Sequence, residues 1–201
     1  SMFEKTSYDQ IYDEHIFMFS VNSIQKVFRL FNFELINVIP QKTHGGSMRY
    51  TIARRGVFNI SKNVLNILSK EKRKKLNSIK SCLKFKKDCF LSKRKFKDQI
   101  IKIKKRGLRI AGYAASAKST TALNFCKINH THLDYIADNT KEKIGKYTPG
   151  THIPIVSIDY FRKNYPNVLL LCSWNHKKEI LSKEKKFLKV GGKWISHVKK
   201  I

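Results

Sequence analysis

The chain has 201 residues, 41% of them hydrophobic, and a formal net charge of +28 at pH 7. This size and apolar content suffice for one large or two small globular domains. No apolar run approaches the roughly 20 residues that a membrane-spanning helix needs, and no signal-peptide pattern precedes the acidic start, so we expect a cytoplasmic protein without a membrane partner.

The first segment, YDQIYDEHIFMFS at residues 8–20, places three of the chain's fourteen acidic residues close to His15. An imidazole is a good base near neutral pH, and a neighbouring carboxylate such as Glu14 can fix its tautomer and stabilise the imidazolium. Tyr12 can donate a hydrogen bond to a developing oxyanion. These residues are consistent with a proton-transfer site, although an exposed polar loop is the simpler interpretation of the residues alone.

The next predicted elements are a helix and a hairpin. Apolar residues at helical spacing predict a helix over residues 20–33, with Ser20 as its N-cap. The runs ELINVIP and SMRYTIARR predict two antiparallel strands that close the edge of a larger sheet. In and after their connection, His44 lies beside paired glycines that permit close backbone approach, and Arg49 can pair with an acid or a phosphate. A hairpin turn explains the glycines equally well.

Residues 57–106 predict a basic, mostly helical connector that ends at Gly107. The apolar residues expected on its buried side are Leu65, Leu68, Leu76, Ile79, Leu83, Phe96, Ile100 and Ile103. A block this basic can bind polyanions, because lysine and arginine release counterions from phosphate. Lysine is spread along almost the whole chain, however, rather than gathered on one face with aromatic residues between. A nucleic-acid partner is compatible with the charge but is not favoured over a solvated helical face.

From residue 108 onward, predicted strands alternate with predicted helices. The strands are LRIAGYAA, LDYIADN, NVLLLCSW and GKWISHV, and the helices are STTALNFCKI, SIDYFRKNY and HKKEILSKEKKFLKV. This alternation predicts right-handed crossovers and a parallel sheet covered on both faces. The expected fold class is α/β, a Rossmann-like parallel sheet with flanking helices, preceded by a small α+β segment and the helical connector.

Three loops are expected to converge on the carboxyl edge of this sheet, where such folds bind ligands. They are GYAASAKSTT, which runs into a helix N-terminus suited to an anion, KYTPGTHIPIVS, and CSWNHKKE, whose indole can stack on a ring. The candidate ligand-binding residues in them are Lys118, Ser119, Tyr147, His152, Trp174 and Asn175. Structural roles compete with each, namely a plain strand–helix turn, a histidine that pins its loop, and a buried indole followed by an N-cap.

The four cysteines show neither a CxxC pair nor metal-ligand spacing, so we expect reduced thiols and no metal site. On one helix, the seven-residue separation of Cys82 and Cys89 corresponds to about 10 Å, which is too long for a disulfide.

Six segments, taken in chain order, resemble the sugar C-methyltransferases, which act on nucleotide-linked keto-deoxysugars. The segments are YDQIYDEHIFMFS, THGGSMRYTIARRG, GYAASAKSTTALNFC, DNTKEKIGKYTPGTHIPI, LLLCSWNHKKEI and GGKWI. TPGTHIP and WNH carry the resemblance most specifically. The resemblance implies that residues 1–56 are the C-terminal portion of a methyltransferase domain and that residues 107–201 are a Rossmann-like domain that binds the sugar nucleotide. Residues 57–106 are then the basic helical connector between these two parts.

The Y-D-E-H motif of that family falls on Tyr12, Glu14 and His15. The resemblance implies that His15, assisted by Glu14, removes the proton from the carbon next to a ketone, and that this carbon is then methylated. S-adenosylmethionine is the cofactor expected of the full-length family, but no methyl-donor motif precedes residue 8, so we expect a methyltransferase domain supplied in cis or in trans. The family pattern GYGAS reads GYAAS here, with Ala114 in place of the second glycine.

The sequence therefore predicts the C-terminal part of an S-adenosylmethionine-dependent C-methyltransferase that binds a nucleotide-linked keto-sugar and supplies the base for α-proton abstraction. Three alternatives remain, namely a keto-sugar epimerase, a non-catalytic nucleotide-sugar-binding module, and a polyanion-binding protein.

Overall fold

The computed structural model describes residues 2–198 of the chain. In chain order its helices and strands are α1 (Met2–Lys5), α2 (Val21–Arg29), β1 (Phe33–Gln41), β2 (Ser47–Arg54), α3 (Lys62–Arg73), α4 (Ile79–Lys105), β3 (Ile110–Tyr113), α5 (Ala117–Cys126), β4 (Ile136–Asp138), β5 (Ile155–Ser157), α6 (Ile158–Lys163), β6 (Val168–Leu171), α7 (Lys177–Lys183), α8 (Lys185–Lys189) and β7 (Lys193–Ile195). They form two compact units, one of residues 2–15 with 88–198 and one of residues 16–87. The domain boundaries at residues 56 and 106 stay a prediction.

The smaller unit is a hairpin covered by α2 and α3. Ser20 is the N-cap of α2, as predicted. Its hydroxyl oxygen accepts a hydrogen bond from the Ser23 amide, and its own amide donates to the Ser23 hydroxyl oxygen. Both carboxylate oxygens of Glu71 on α3 accept from the first amides of α2, at 2.8 and 3.0 Å, so the helix N-terminus is fully satisfied.

Two expectations for this region were wrong. Within the described residues, β1 and β2 form a two-stranded sheet of their own and do not extend a larger one. The connector is helical, in agreement with the prediction, and Phe96 and Ile100 on its expected buried side are buried. Leu65, Ile79 and Leu83 on that side are exposed, so the expectation was wrong at these three positions. Helical spacing identifies an apolar stripe without showing whether another element covers it.

The larger unit is built on a parallel sheet, which confirms the predicted α/β class. In the described part of the chain five strands lie in the order β5-β4-β3-β6-β7, and every neighbouring pair is parallel. All residues of β3 and β6 are buried, as expected for central strands covered on both faces. One core cluster joins Ala111, Tyr113, Leu169 and Leu171 of these strands to Phe161, Ile180 and Phe187 of the helices.

The sheet reverses its winding between β3 and β6. The chain leaves β3 through α5 and returns in β4, whereas it leaves β6 through α7 and α8 and returns in β7 on the other side. At the carboxyl edge, the loops after β3 and β6 therefore run in opposite directions along the sheet. Such a topological switch point leaves a crevice, and doubly wound folds bind their ligands there.

The loop with Thr148–Pro149–Gly150 was predicted at this carboxyl edge, and that placement was wrong. After β4 the chain runs back antiparallel to the segment entering β5, with Tyr147 paired to Pro154. The turn then lies at the amino edge, where the Pro149 carbonyl accepts from Asn124 in the last turn of α5.

The helix predicted over residues 176–190 is divided into α7 and α8 at Glu184. The Glu184 side chain is buried and accepts hydrogen bonds from the Tyr113 hydroxyl at 3.0 Å and the Arg162 guanidinium at 2.8 Å. Burial, followed by the Glu184 charge, raises the pKa of Tyr113, so the phenol stays a donor. No helix among residues 2–198 is both long and apolar enough to cross a bilayer.

Ala114, directly after β3, has a φ of +74°, a left-handed backbone that L-residues disfavour. We expect Ala114→Gly to raise the free energy of unfolding by about 0.5 kcal/mol, because steric relief of roughly 1–2 kcal/mol exceeds the roughly 0.5–1 kcal/mol of added chain entropy. Urea unfolding followed by tryptophan fluorescence measures this change, since Trp174 and Trp194 both belong to this unit.

Gly112→Ala is the matched control with the opposite sign. A Cβ at this position would lie 2.9 Å from Cγ1 of Ile136, a buried side chain that cannot move away. We therefore expect Gly112→Ala to lower the free energy of unfolding clearly. If Ala114→Gly is no more stable than the unaltered chain, the backbone at residue 114 is not strained.

Candidate functional site

The segment that carries the predicted proton-transfer residues is docked on the parallel-sheet unit. A 3₁₀ turn, Tyr8–Gln10, packs against α5. The Tyr8 ring lies 4.8 Å from the ring of Phe125, and its hydroxyl is 3.3 Å from the sulfur of Cys126. Burial raises the pKa of Tyr8 well above its ordinary value, so this hydroxyl remains a neutral hydrogen-bonding group.

Asp9, the next residue, is completely buried. Its Oδ2 accepts a hydrogen bond of 2.6 Å from Nε1 of Trp174, in the loop after β6. Its Oδ1 lies 3.5 Å from Nε2 of His197, and among the described residues neither of these two atoms has a hydrogen-bond partner. A buried carboxylate without any donor is strongly destabilising, so the indole N–H is the contact that makes this burial tolerable.

Tyr12, His15 and the Gln10 carbonyl form a hydrogen-bonded group. Nδ1 of His15 lies 2.8 Å from the Gln10 carbonyl oxygen, and Nε2 lies 3.0 Å from the Tyr12 hydroxyl. A carbonyl only accepts, so Nδ1 carries the proton and Nε2 presents its lone pair to the phenol. Burial, reinforced by the Glu14 charge, raises the pKa of Tyr12, which therefore remains a proton donor.

The partner that orients the imidazole is thus not the one predicted. Glu14 is exposed, and it is the backbone carbonyl of Gln10 that holds Nδ1 of His15. Every residue has a backbone carbonyl, so the sequence alone does not identify this acceptor. The part assigned to Glu14 stays a prediction, supported here by its electrostatic effect on Tyr12.

Two ammonium groups meet at the indole of Trp174. Nζ of Lys118, on α5, lies 5.1 Å from the ring centroid and donates to Oδ1 of Asn175 at 3.3 Å. Nζ of Lys5 lies 4.8 Å from the same centroid. Burial lowers the pKa of Lys118, the Lys5 charge adds to this lowering, and the Asp9 carboxylate opposes it. The arrangement is an electropositive site at the switch point, with one buried anion beneath it.

The other candidates at this edge are used partly for structure. The Trp174 side chain is buried, and Ser119 forms a reciprocal capping box with Ser116 at the start of α5. Asn175 does not cap α7, whose N-cap is His176 without a side-chain hydrogen bond.

Asp138, at the carboxyl end of β4, tests whether this edge fits a nucleoside cofactor such as S-adenosylmethionine. In dinucleotide-binding folds an acid near this position binds the ribose hydroxyls. Here its Oδ2 accepts from the Ala115 amide at 2.6 Å and its Oδ1 from the Thr140 amide at 2.8 Å. Lys143 also donates to the Ala115 carbonyl at 2.7 Å. Both carboxylate oxygens therefore brace the loops at this edge, and Asp138 presents no unpaired oxygen to a ribose.

The remaining predicted residues lie elsewhere. Tyr147 and His152 are exposed at the amino edge, so the structure does not bring them together with Lys118. Arg49 is exposed on β2 in the other unit, and the side chain of His44 lies outside the described part. Residues 2–198 contain no group of ligands arranged for a metal ion.

Sequence reasoning missed four residues of this site, namely Lys5, Asp9, Gln10 and His197. The available signal was the acid of the YDQ turn, which precedes the proton-transfer residues by only a few positions.

Residues 42–198 match a protein-family model described as the C-methyltransferase C-terminal domain. A curated relative, the C-methyltransferase NovU of Streptomyces niveus, is 27% identical over 195 residues, which cover 96% of this chain and 46% of the relative. The chain thus spans about half the length of this relative. The family match includes Lys118 and Trp174, whereas Tyr12 and His15 precede it.

Trp174→Phe should lower the free energy of unfolding by about 1–3 kcal/mol, because it deletes the donor of a buried carboxylate while keeping an aromatic ring. Trp194→Phe is the matched control, since its Nε1 is buried without a partner in the described structure. Urea unfolding followed by circular dichroism compares the two variants. An equal loss of stability in both would show that the bond to Asp9 contributes nothing.

Proposed function

Since the chain belongs to the family of C-methyltransferase C-terminal domains, we propose that it binds a nucleotide-linked keto-sugar at the carboxyl edge of its parallel sheet and that His15 supplies the base for α-proton abstraction. The observation that carries this proposal is the group of Tyr12, His15 and the Gln10 carbonyl, which lies on a segment joined by Asp9 to the switch-point loop.

The diphosphate of the sugar nucleotide is assigned to the ammonium groups of Lys5 and Lys118. Their Nζ atoms lie 4.8 and 5.1 Å from the centroid of one indole, so an anion bound beside this ring would be attracted by two positive charges. Asn175 holds the Lys118 ammonium in position and adds an amide that can donate. This assignment supports the predicted roles of Lys118, Trp174 and Asn175 as ligand-binding residues.

The base reaction follows from the tautomer of His15. Nε2 takes the proton from the carbon beside the ketone, the C–H bond breaks, and its electron pair moves to the carbonyl oxygen as an enolate. The Tyr12 hydroxyl leaves Nε2 when that atom is protonated and donates instead to the enolate oxygen. The Gln10 carbonyl and the nearby Glu14 charge stabilise the imidazolium.

In the full-length enzyme S-adenosylmethionine would supply an electrophilic methyl group to the enolate carbon. Among the described residues, the acid placed to bind a ribose, Asp138, already accepts a backbone amide at each oxygen. We therefore assign no methyl-transfer step to them and propose that a methyl-donor domain is provided in cis or in trans.

The base is tested by proton exchange without a methyl donor. The chain is incubated in D₂O with thymidine-, guanosine- and cytidine-diphosphate-linked keto-deoxyhexoses, and ¹H NMR follows the signal of the α-proton. We expect His15→Gln to slow exchange at least about 100-fold, the usual contribution of a general base. His130→Gln, an exposed histidine near the amino edge, is the control and should exchange normally.

Each result of this experiment separates the alternatives. An inverted sugar in the product identifies an epimerase. Tight binding of a sugar nucleotide with no exchange in the unaltered chain identifies a binding module and refutes the base assignment of His15.

The anion site is tested by isothermal titration calorimetry with the same sugar nucleotides. Lys118→Gln and Lys5→Gln should each weaken binding about 10-fold, which corresponds to one charge-assisted hydrogen bond. Lys189→Gln removes an exposed charge from α8 and should bind like the unaltered chain. Undetectable sugar-nucleotide binding together with tight, salt-sensitive RNA binding would instead establish the polyanion alternative.

A further inference from the structure

We propose that Asp9 is a positioning residue that fixes the tautomer and orientation of the His15 imidazole through the Gln10 carbonyl, and that Trp174 thereby links the base to the anion site. This inference rests on the proposed function for its consequence in catalysis, but its structural content is independent of any substrate.

The first step is the immobilisation of Asp9. Its carboxylate is fully buried, bonded at 2.6 Å to the Trp174 indole, and faces His197 from the C-terminal region. His197 is itself held between the rings of Tyr8 and Phe96, at 5.5 and 5.9 Å. Asp9 cannot rotate without leaving its charge unpaired in a closed interior.

The second step carries this constraint to Gln10. The residues on both sides of Asp9 are fixed, Tyr8 by its contacts with α5 and Gln10 by the bond from its Nε2 to the Ser7 hydroxyl at 2.7 Å. The Ile11 amide closes the 3₁₀ turn on the Tyr8 carbonyl at 3.0 Å. The direction of the Gln10 carbonyl is therefore set by the turn that Asp9 anchors.

The third step reaches the imidazole. The Gln10 carbonyl accepts from Nδ1 of His15, and a second turn brings the two together, with the His15 amide bonded to the Tyr12 carbonyl at 2.8 Å. If the first turn loosens, Nδ1 loses its acceptor and the proton distributes between the two ring nitrogens. The fraction of the imidazole with a free Nε2 lone pair then falls.

The fourth step connects the two ends of the site. Trp174 donates to Asp9 from its edge while Lys5 and Lys118 lie over its ring. One side chain therefore contacts both the anchor of the base and the ammonium groups assigned to the diphosphate. A shift of the indole when the anion binds reaches the imidazole through Asp9 and Gln10.

The test measures the His15 tautomer in the ¹⁵N-labelled 201-residue chain by long-range ¹H–¹⁵N correlation at pH 8.5. His15→Gln assigns the signals. We expect the unaltered chain to show the Nδ1–H tautomer, and Asp9→Ala and Trp174→Phe to shift the population at least several-fold toward Nε2–H. Asp9→Asn keeps an oxygen that accepts from Trp174 and should retain the original tautomer.

Trp194→Phe controls for loss of an indole and should leave the tautomer unchanged. Because Asp9→Ala removes a buried group, Trp174→Phe, which deletes only the donor, decides the outcome if the former does not fold. An unchanged Nδ1–H population in folded Trp174→Phe overturns the proposal. If the variants shift the tautomer but the unaltered chain shows no proton exchange, the positioning role stands and the proposed function is refuted. If the unaltered chain exchanges normally but the variants leave the tautomer unshifted, the proposed function stands and the positioning role is refuted.

Discussion

The structure of the larger unit depends on one hydrogen bond, from the Trp174 indole to the Asp9 carboxylate, which joins residues 165 positions apart. A fully buried carboxylate is stable only with a good donor, because transfer of an unpaired charge from water into a protein interior costs several kcal/mol even after relaxation. The bond therefore does more than add a contact. It makes the docking of the first fifteen residues conditional on the loop after β6, and it places a negative charge inside a strongly basic chain.

That charge acts on two ammonium groups at the indole of Trp174. Lys5 and Lys118 share one indole, and the lowered pKa of Lys118 reflects burial and its cationic neighbour. The Asp9 carboxylate and the electron-rich face of the indole offset part of this repulsion. This local arrangement of two lysines, one indole and one buried acid is more informative than the net charge of the whole chain.

The sequence predicts the parallel sheet well, because its central strands are continuous apolar runs bounded by turns and its helices carry clear periodicity. It fails where the path of the chain matters. The residues of the turn at Pro149 indicate a turn but not the antiparallel return that moves it to the amino edge. The break at Glu184 is equally hidden, since it arises from partners on β3 and α6.

The candidate site likewise combines residues that the sequence predicts with residues that it does not predict. Tyr12, His15, Lys118 and Trp174 are evident from their residue types and from the resemblance, because their chemistry resides in the side chains. Asp9 looks like any acid in a polar segment until the structure shows it buried, and Gln10 contributes through its backbone, which every residue shares. Supporting contacts are long-range or non-specific in type, so residue patterns alone cannot find them.

His15, the proposed base, lies on a turn rather than on a helix or strand. A group that removes a proton from carbon must be held within a fraction of an ångström of its productive position, which regular elements provide more readily than loops. Here the rigidity comes from outside the turn, through a buried acid whose donor belongs to the sheet. The Tyr12 phenol completes the arrangement, because its hydroxyl lies 3.0 Å from Nε2 of His15 and occupies the lone pair of that atom. The imidazole of the proposed base is therefore held at both ring nitrogens, by the Gln10 carbonyl at Nδ1 and by the Tyr12 phenol at Nε2.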